Sequence, residues 1–212
     1  MTMTRNAASA ASIAFAAASA LALGACGTTP TRFYTLVPPP AAQVPVTARF
    51  QIEVQPVDLP PQVASQQMVV RTGTGELVPV DTRRWQAPLG DEMREALSTE
   101  LSHRLGAHDV YGLANAIAPK GQGVETWRIT VKVQRFESAL GAYARVDALW
   151  TLRRAGDNTI AAACGSSVTE TVQPGYEALV EGHQRAVADL ADRIAAVLEA
   201  AQNSASAVCP AV

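Results

Sequence analysis

The first 26 residues restrict this chain more than any other part of the sequence. The run Ala11–Leu23 is apolar except for two serines. It has the length of the hydrophobic core of a secretory signal and falls short of the roughly 20 residues that span a bilayer. The four residues Leu23, Gly24, Ala25 and Cys26 follow and resemble a lipobox, in which small residues admit the peptidase and the thiol accepts the lipid. We therefore expect a signal peptide over 1–25 and lipidation of Cys26.

The residues around Cys26 also predict which membrane the protein is anchored to. An ordinary cleaved signal, with Cys26 incidental, is the alternative to a lipoprotein signal. Two or three acyl chains hold a protein on a membrane stably, whereas one holds it marginally. Gly27 rather than Asp follows the cysteine, and by resemblance to the enterobacterial sorting rule this favours the outer membrane. We expect a lipid-anchored protein at the outer membrane that faces the periplasm.

Proline spacing and charge bound the rest of the chain. Residues 26–48 contain five prolines and predict a Pro-rich tether, residues 49–202 are long enough for a single domain, and 203–212 are expected to form a tail. Removal of 1–25 takes away Arg5 alone of the 17 basic residues, so 16 remain against 19 acids, a net charge of −3 with His neutral. This charge argues against nucleic acid as a partner, because phosphate binding needs clustered Lys and Arg.

Hydrophobic periodicity predicts an α+β fold. Apolar residues recur every four positions from Leu89 to Leu105 before Gly106, and at helical spacing from Tyr176 to about Ala201. Apolar and polar residues alternate over Trp127–Gln134 and Ala142–Arg153, which is typical of strands with one solvated face. We expect an antiparallel sheet with two helices packed on one face, in the order βββαββββα. The other predicted strands are Phe50–Val57, Gln67–Thr72, Glu76–Val80, His108–Tyr111 and Ile160–Thr171.

Motifs for catalysis are absent from the sequence, which has no GxSxG, Walker A, HExxH or CxxC pattern. We expect no enzyme activity, no cofactor and no metal. His103 and His108 flank a predicted helix end, where a cation is favourable, and a metal pair is the alternative. His183 lies in an apolar helical stripe and is expected to be a packed core histidine.

Three other groups of residues each allow a structural and a functional interpretation. The carboxylates at the start of the first helix complement its dipole, or else form a hydrolytic pair; these are Asp91, Glu92 and Glu95. The tryptophans are expected to pack in or near the core, with a ligand cage as the alternative; these are Trp85, Trp127 and Trp150. Arg83 and Arg84 form a solvated pair or touch lipid headgroups.

Several segments in order resemble the ABC-type transport auxiliary lipoproteins, the PqiC-like family. The chain has the FYxLxP opening at Phe33–Pro38, and W-x-A-P-L at Trp85–Leu89 resembles the family's W-A-x-P-L before its first helix. The resemblance covers about 33 to 200, and its remaining landmarks are Gln55–Pro60, Met68–Thr72, Val133–Glu137 and Tyr176–Val180. Gln62–Gln67 departs from a YLxRxQ-like stretch that is common in the family, so no role is carried over for that loop.

The resemblance implies a role and partners. Such proteins are outer-membrane lipoproteins of envelope lipid transport. They work with an MCE-domain protein and its inner-membrane transporter components, and can assemble as rings. We therefore expect a non-catalytic accessory subunit that forms a homo-oligomer. A structural lipoprotein of another envelope assembly or export machine, and an envelope hydrolase, are the alternatives.

The cysteines predict one possible disulfide. Once Cys26 is acylated, Cys164 and Cys209 are the only thiols left, and an oxidising periplasm favours pairing of reachable thiols. The alternative is a buried core thiol at Cys164 and a free or intermolecular cysteine in the tail.

Overall fold

A computed structural model of the chain describes residues 29–39, 47–113, 124–156, 159–203 and 207–210. The predicted signal peptide, the lipobox and Cys26 therefore lie outside the described residues. The compact unit begins at Arg32, so part of the predicted Pro-rich tether belongs to the fold. Its elements are β1 (Arg32–Tyr34), β2 (Phe50–Val54), β3 (Gln67–Arg71), β4 (Leu77–Trp85), α1 (Leu89–Leu105), β5 (Glu125–Ala139), β6 (Tyr143–Arg154), β7 (Ile160–Thr171) and α2 (Tyr176–Gln202).

The strands form two mixed sheets. The smaller has the order β1-β4-β3, and the larger has the order β2-β5-β6-β7. β1 runs parallel to β4 and β2 runs parallel to β5, whereas every other pairing is antiparallel. Both parallel pairs join strands that are distant in sequence, as a parallel pairing requires.

The α+β class is confirmed, and the order of elements is close to the predicted one. The expectation of a single antiparallel sheet is wrong, because alternation reveals which face of a strand is buried but not which strand lies beside it. Two local assignments also differ. The segment at Phe33, which was assigned to the tether, forms β1, and the strand expected at His108–Tyr111 is reduced to one bridge between Ile52 and Asp109.

The helices and the inner sides of both sheets share one hydrophobic core. α2 lies over β6 and β7, while α1 contacts α2 and β2. The predicted apolar residues of α1 are buried, and its C-cap Gly106 takes the left-handed conformation at φ 58°. Within α2, Gly182 allows close approach to the sheet, since a Cβ there would clash with Val172 Cγ1. Among the described residues, neither helix combines the length and apolar character that a membrane span requires.

Two register shifts reverse the side of the sheet that strict alternation predicts for a residue. A shift in β5 between Val133 and Arg135 lets Phe136 turn back into the core after two exposed positions. A shift at the start of β7 puts Ile160 opposite Arg153, and Ile160 is 50% exposed, although strict alternation predicts it to face inward.

Candidate functional site

The segment after β1 is held to the first turn of α1 by one buried carboxylate. Glu92 Oε2 accepts hydrogen bonds from Thr35 Oγ1 at 2.7 Å and from the Leu36 amide at 2.8 Å. Its Oε1 accepts the Ala87 amide at 3.1 Å. Leu36 is 1% exposed and Glu92 5% exposed. The N-terminal segment is therefore part of the core.

The second helix also contacts this segment. Gln184 Nε2 donates to the Thr35 carbonyl oxygen at 3.0 Å, so both helices hold the same residue. An open groove of about 770 Å³ lies beside it, between the segment that ends in Pro38 and Pro39 and the first turns of α1. Asp91, Glu92 and Glu95 line this groove together with Arg94, which is paired with Glu95 at 2.9 Å.

Sequence reasoning assigned Glu92 to the helix dipole and missed its specific contacts. Pro88 is the N-cap and has no amide hydrogen, so the carboxylate reaches one residue further back to Ala87. An acid four residues after a proline at a helix start was the available signal. Nothing in the sequence indicates that Thr35 and Leu36 donate to the same group.

A serine and a histidine lie in hydrogen-bond contact in the interior. Ser138 Oγ and His183 Nε2 are 2.8 Å apart, and both side chains are buried. The imidazole stacks on Phe136 with ring centroids 4.0 Å apart. Burial lowers the pKa of His183 to about 3, so the ring is neutral near pH 7. His183 is thus confirmed as a core histidine.

This pair lacks what a nucleophile and a base require. Ser138 is 2% exposed and His183 0% exposed, so no substrate atom reaches either. In the described part of the chain, His183 Nδ1 has no hydrogen-bond partner, and a catalytic triad needs a third group there to orient the ring. The pair therefore serves packing.

The solvent side of the larger sheet carries a network of charges. Glu137 accepts from Arg71 Nη2 at 2.7 Å, which links β3 to β5, and from Tyr143 Oη at 3.1 Å. Asp147 accepts from Arg145 Nε at 2.9 Å and from Ser167 Oγ at 2.7 Å, which links β6 to β7. We call this side of β5, β6 and β7 the outer face.

Electrostatics fixes the charge state of this network. Burial works to raise the pKa of Glu137, but the hydrogen bonds from Arg71 and Tyr143 outweigh it and hold the pKa below its ordinary value. Glu137 is therefore ionised at neutral pH. A cleft of about 240 Å³ lies beside it at the junction of the two sheets, bounded by Arg71 and Arg135.

The C-terminal tail is joined to the larger sheet by a disulfide. Cys164 on β7 and Cys209 are bonded, with Cα atoms 5.4 Å apart. This is the pairing that the sequence predicts. Cys164 is 6% exposed, and Ala207 packs against the core. The tail therefore folds back beyond α2 instead of extending into solvent.

The other candidate residues do not form a site. Within the described ranges, no group of three or more His, Cys, Asp or Glu side chains could hold a metal ion. His103 and His108 are exposed beside the end of α1. The three tryptophans are all buried, as expected for packing residues. Trp150 Nε1 donates to Ser166 Oγ at 3.0 Å.

Comparison with known proteins agrees with this architecture. A crystal structure of an uncharacterised protein matches with a TM-score of 0.61 at 21% identity, covering 80% of this chain and 99% of that chain. The crystal structure of a DUF330 protein from Xanthomonas campestris matches with a TM-score of 0.60 at 17% identity, covering 82% and 98%. Among curated proteins, none matches this sequence. Residues 34–195 match the family described as the ABC-type transport auxiliary lipoprotein component, and the chain therefore belongs to that family.

Proposed function

We propose that this protein is a lipid-anchored, non-catalytic subunit of an MCE-type system that moves lipids or other hydrophobic molecules between the two membranes. It acts at the outer membrane, where it docks or guides the periplasmic part of the transporter. Its partners are an MCE-domain protein and the inner-membrane components of that transporter. Membership of the transport auxiliary family supports the accessory role.

The observation that carries this proposal is the short connection between the expected anchor and the fold. β1 begins at Arg32, six residues after Cys26, and Glu92 and Gln184 then bind Thr35. Six residues reach at most about 22 Å when extended. The domain is therefore kept at the membrane surface, as a docking subunit requires, rather than released on a long flexible tether.

The polar groups of the described core support a binding role over a chemical one. The interior Ser138 and His183 Nε2 bond to each other, and Glu92 accepts from three donors. The outer face instead presents charged groups at the surface, including Arg135 and Lys132. Recognition of another protein uses groups of this second kind.

We also propose that the protein forms a homo-oligomer, as a ring. The two helices contain nine acidic residues, of which Glu92 is buried, and four Arg or Lys residues, whereas β5, β6 and β7 contain six basic and four acidic residues. A twofold contact through the helices would bring acidic residues together. A heterologous contact between the helices of one copy and the outer face of the next pairs opposite charges, and such contacts close into rings or grow into filaments.

Site-specific photocrosslinking in intact envelopes tests the docking role. A photoreactive amino acid replaces Leu149 on the outer face, which is 46% exposed, or Ala196 on the exposed side of α2. We expect an MCE-domain protein among the partners of at least one position, and a second copy of this chain at both. The Cys26→Ser chain carrying the same residue is the control, and its crosslinks to the MCE-domain protein should fall.

Two outcomes contradict these proposals. Crosslinks solely to components of an export or outer-membrane assembly machine would assign the protein to that machine instead. Multi-angle light scattering that shows monomer alone at all concentrations and salt levels would remove the ring. Salt should weaken the oligomer, because the contact pairs exposed charges.

A further inference from the structure

An exposed aromatic residue lies among arginines on β1 and the neighbouring end of β4. Phe33 is 61% exposed, the largest value for an aromatic side chain in the described residues. It is paired with Arg84 across the strands, while Arg32 is paired with Arg83. Because partners in register share a face, Phe33 and Arg84 lie on one side of the sheet and Arg32 and Arg83 on the other. β1 is the edge strand of this sheet, so both sides border the same edge. We call these four residues the β1 patch.

The β1 patch has more positive than negative charge around it. Arg32 contacts Glu177 at 3.3 Å, and both side chains are 63% exposed, so water screens this ion pair strongly. The Arg83 guanidinium lies 4.9 Å from the centre of the Tyr176 ring. Asp81, the one carboxylate within β1 and β4, accepts from Gln67. These two strands thus contain three arginines and one acid.

The position of the β1 patch in the chain sets its distance from the expected anchor. Phe33 follows Cys26 by seven residues, which cannot extend beyond about 25 Å. Thr29, Pro30 and Thr31 are exposed and lead directly to the patch. A surface carried this close to a bilayer meets headgroups at a high effective concentration, so even weak contacts are occupied.

We propose that the β1 patch binds the membrane surface, with Phe33 inserted at the headgroup boundary and the arginines on the phosphates of anionic phospholipids. This inference rests on the lipid anchor of the proposed function. An aromatic ring at the interface and guanidinium groups on phosphates are the two contacts that such surfaces favour. The contact fixes how the domain is oriented on the membrane, which an acyl anchor alone leaves free.

Fluorescence of the mature lipidated protein in vesicles tests the orientation. With Cys26 acylated and Cys164 and Cys209 paired, Phe33→Cys adds the one reactive thiol, which is labelled with the dye NBD. Leu149→Cys, on an exposed apolar position of the outer face, is the matched control. Vesicles contain phosphatidylcholine alone or with 30 mol% phosphatidylglycerol, at roughly the charge density of an anionic leaflet, and spin-labelled lipid quenches dye that enters the interface.

We expect at least threefold stronger quenching at position 33 than at 149 in anionic vesicles, with a blue shift of the emission. The double variant Arg32→Gln and Arg84→Gln should lose most of this difference, with an unchanged unfolding midpoint as proof of folding. Equal quenching at both positions, insensitivity to phosphatidylglycerol, or a dye already shielded by protein in detergent would each overturn the proposal.

Flotation of the protein with vesicles distinguishes failure of the β1 patch from failure of the lipid anchor. Protein that floats with vesicles of both compositions retains its anchor, so a negative result at position 33 then removes the patch alone. Protein that fails to float with either composition has no functioning anchor, and in that case both proposals fall.

Discussion

The two ends of the domain are fastened to the same core by different chemistry. At the N-terminal end, Thr35 and Leu36 donate hydrogen bonds to Glu92 of α1, and Thr35 accepts one from Gln184 of α2. At the C-terminal end, a disulfide holds Cys209 on β7. The first attachment consists of several reversible contacts, and the second depends on one covalent bond.

The surroundings of the two attachments differ as well. Tyr34 of β1 is in register with Trp85, and the Trp85 ring lies edge-on to His183 at a centroid distance of 6.2 Å. A titratable ring thus lies below the N-terminal attachment. The disulfide has no protonation equilibrium near neutral pH. The N-terminal attachment thus lies near a titratable group, whereas the C-terminal attachment depends on a bond that a reductant cleaves.

Loss of the disulfide should have the largest effect on stability. Cys164 and Cys209 are 45 residues apart, and closing a loop of that length stabilises the folded state by about 4 kcal/mol in the chain-entropy model. We expect Cys209→Ala to lower the free energy of unfolding in urea by this amount. Dithiothreitol should lower the wild type to the same level and leave the variant unchanged. A reductant effect that survives in Cys209→Ala would contradict the assignment.

Glu92→Ala should break the N-terminal attachment at a somewhat smaller cost. It leaves the amides of Leu36 and Ala87 and the hydroxyl of Thr35 without their acceptor, and unmade buried hydrogen bonds of this kind sum to about 3 kcal/mol. Thermal and urea unfolding measure the loss, and limited proteolysis locates it at residues 32–37. The matched control is Glu95→Ala, whose side chain is 56% exposed and whose removal should change little.

Acid should weaken the N-terminal side through His183. Its pKa is about 3 in the folded protein because of burial and about 6.5 when unfolded. Below pH 6.5 the histidine is therefore protonated in the unfolded chain and still neutral in the folded one. The contribution is complete above pH 6.5 and falls with decreasing pH, by about 2 kcal/mol between pH 8 and pH 5. His183→Gln should have a flatter stability profile over that range.

Two controls sharpen the acid prediction. His103→Gln removes an exposed histidine and should retain the wild-type dependence on pH. If acid and loss of the disulfide act at separate ends, their losses in the free energy of unfolding should add. Cys209→Ala at pH 5 should then show the sum of the two losses. A profile for His183→Gln that is as steep as that of the wild type would show that other groups cause the loss.

Removal of the exposed contact of β1 with α2 should have the smallest effect. Glu177 accepts from Tyr34 Oη at 3.2 Å and from Arg32 at 3.3 Å, yet its carboxylate is exposed to solvent. We expect the unfolding midpoint of Glu177→Gln to equal that of the wild type within error. A clear destabilisation would mean that the N-terminal attachment extends beyond the Glu92 contacts.

The elements with strong periodicity could be predicted from the sequence, because their pattern records burial directly. The inward residues expected for β5 and β6, such as Ile129 and Leu152, are 0% exposed, and Leu190 in the stripe of α2 is 1% exposed. β1 could not be predicted, since three residues carry no period. Its parallel pairing depends on Arg83–Trp85, 51 positions later.

The candidate surfaces were less predictable than the elements. Glu92 differs from Asp91 and Glu95 in the partners that tertiary structure brings to it, and these are mostly backbone amides with no sequence signature. Ser138 meets His183 because a register shift in β5 turns Phe136 and Ser138 inward. By contrast, counting thiols was enough to name Cys164 and Cys209 as a possible pair, but it left a buried thiol at Cys164 open, and only the fold brings their Cα atoms to 5.4 Å.

The parallel pairing of β1 with β4 has a mechanical consequence. A pull on Thr31 along the axis of β1 loads the hydrogen bonds to β4 in shear, so that they resist together instead of opening one after another. The same pull reaches Glu92 and Gln184 through Thr35, which spreads the force into both helices. If the protein is stretched between a membrane and a docked partner, β1, its shortest strand, therefore carries the load first.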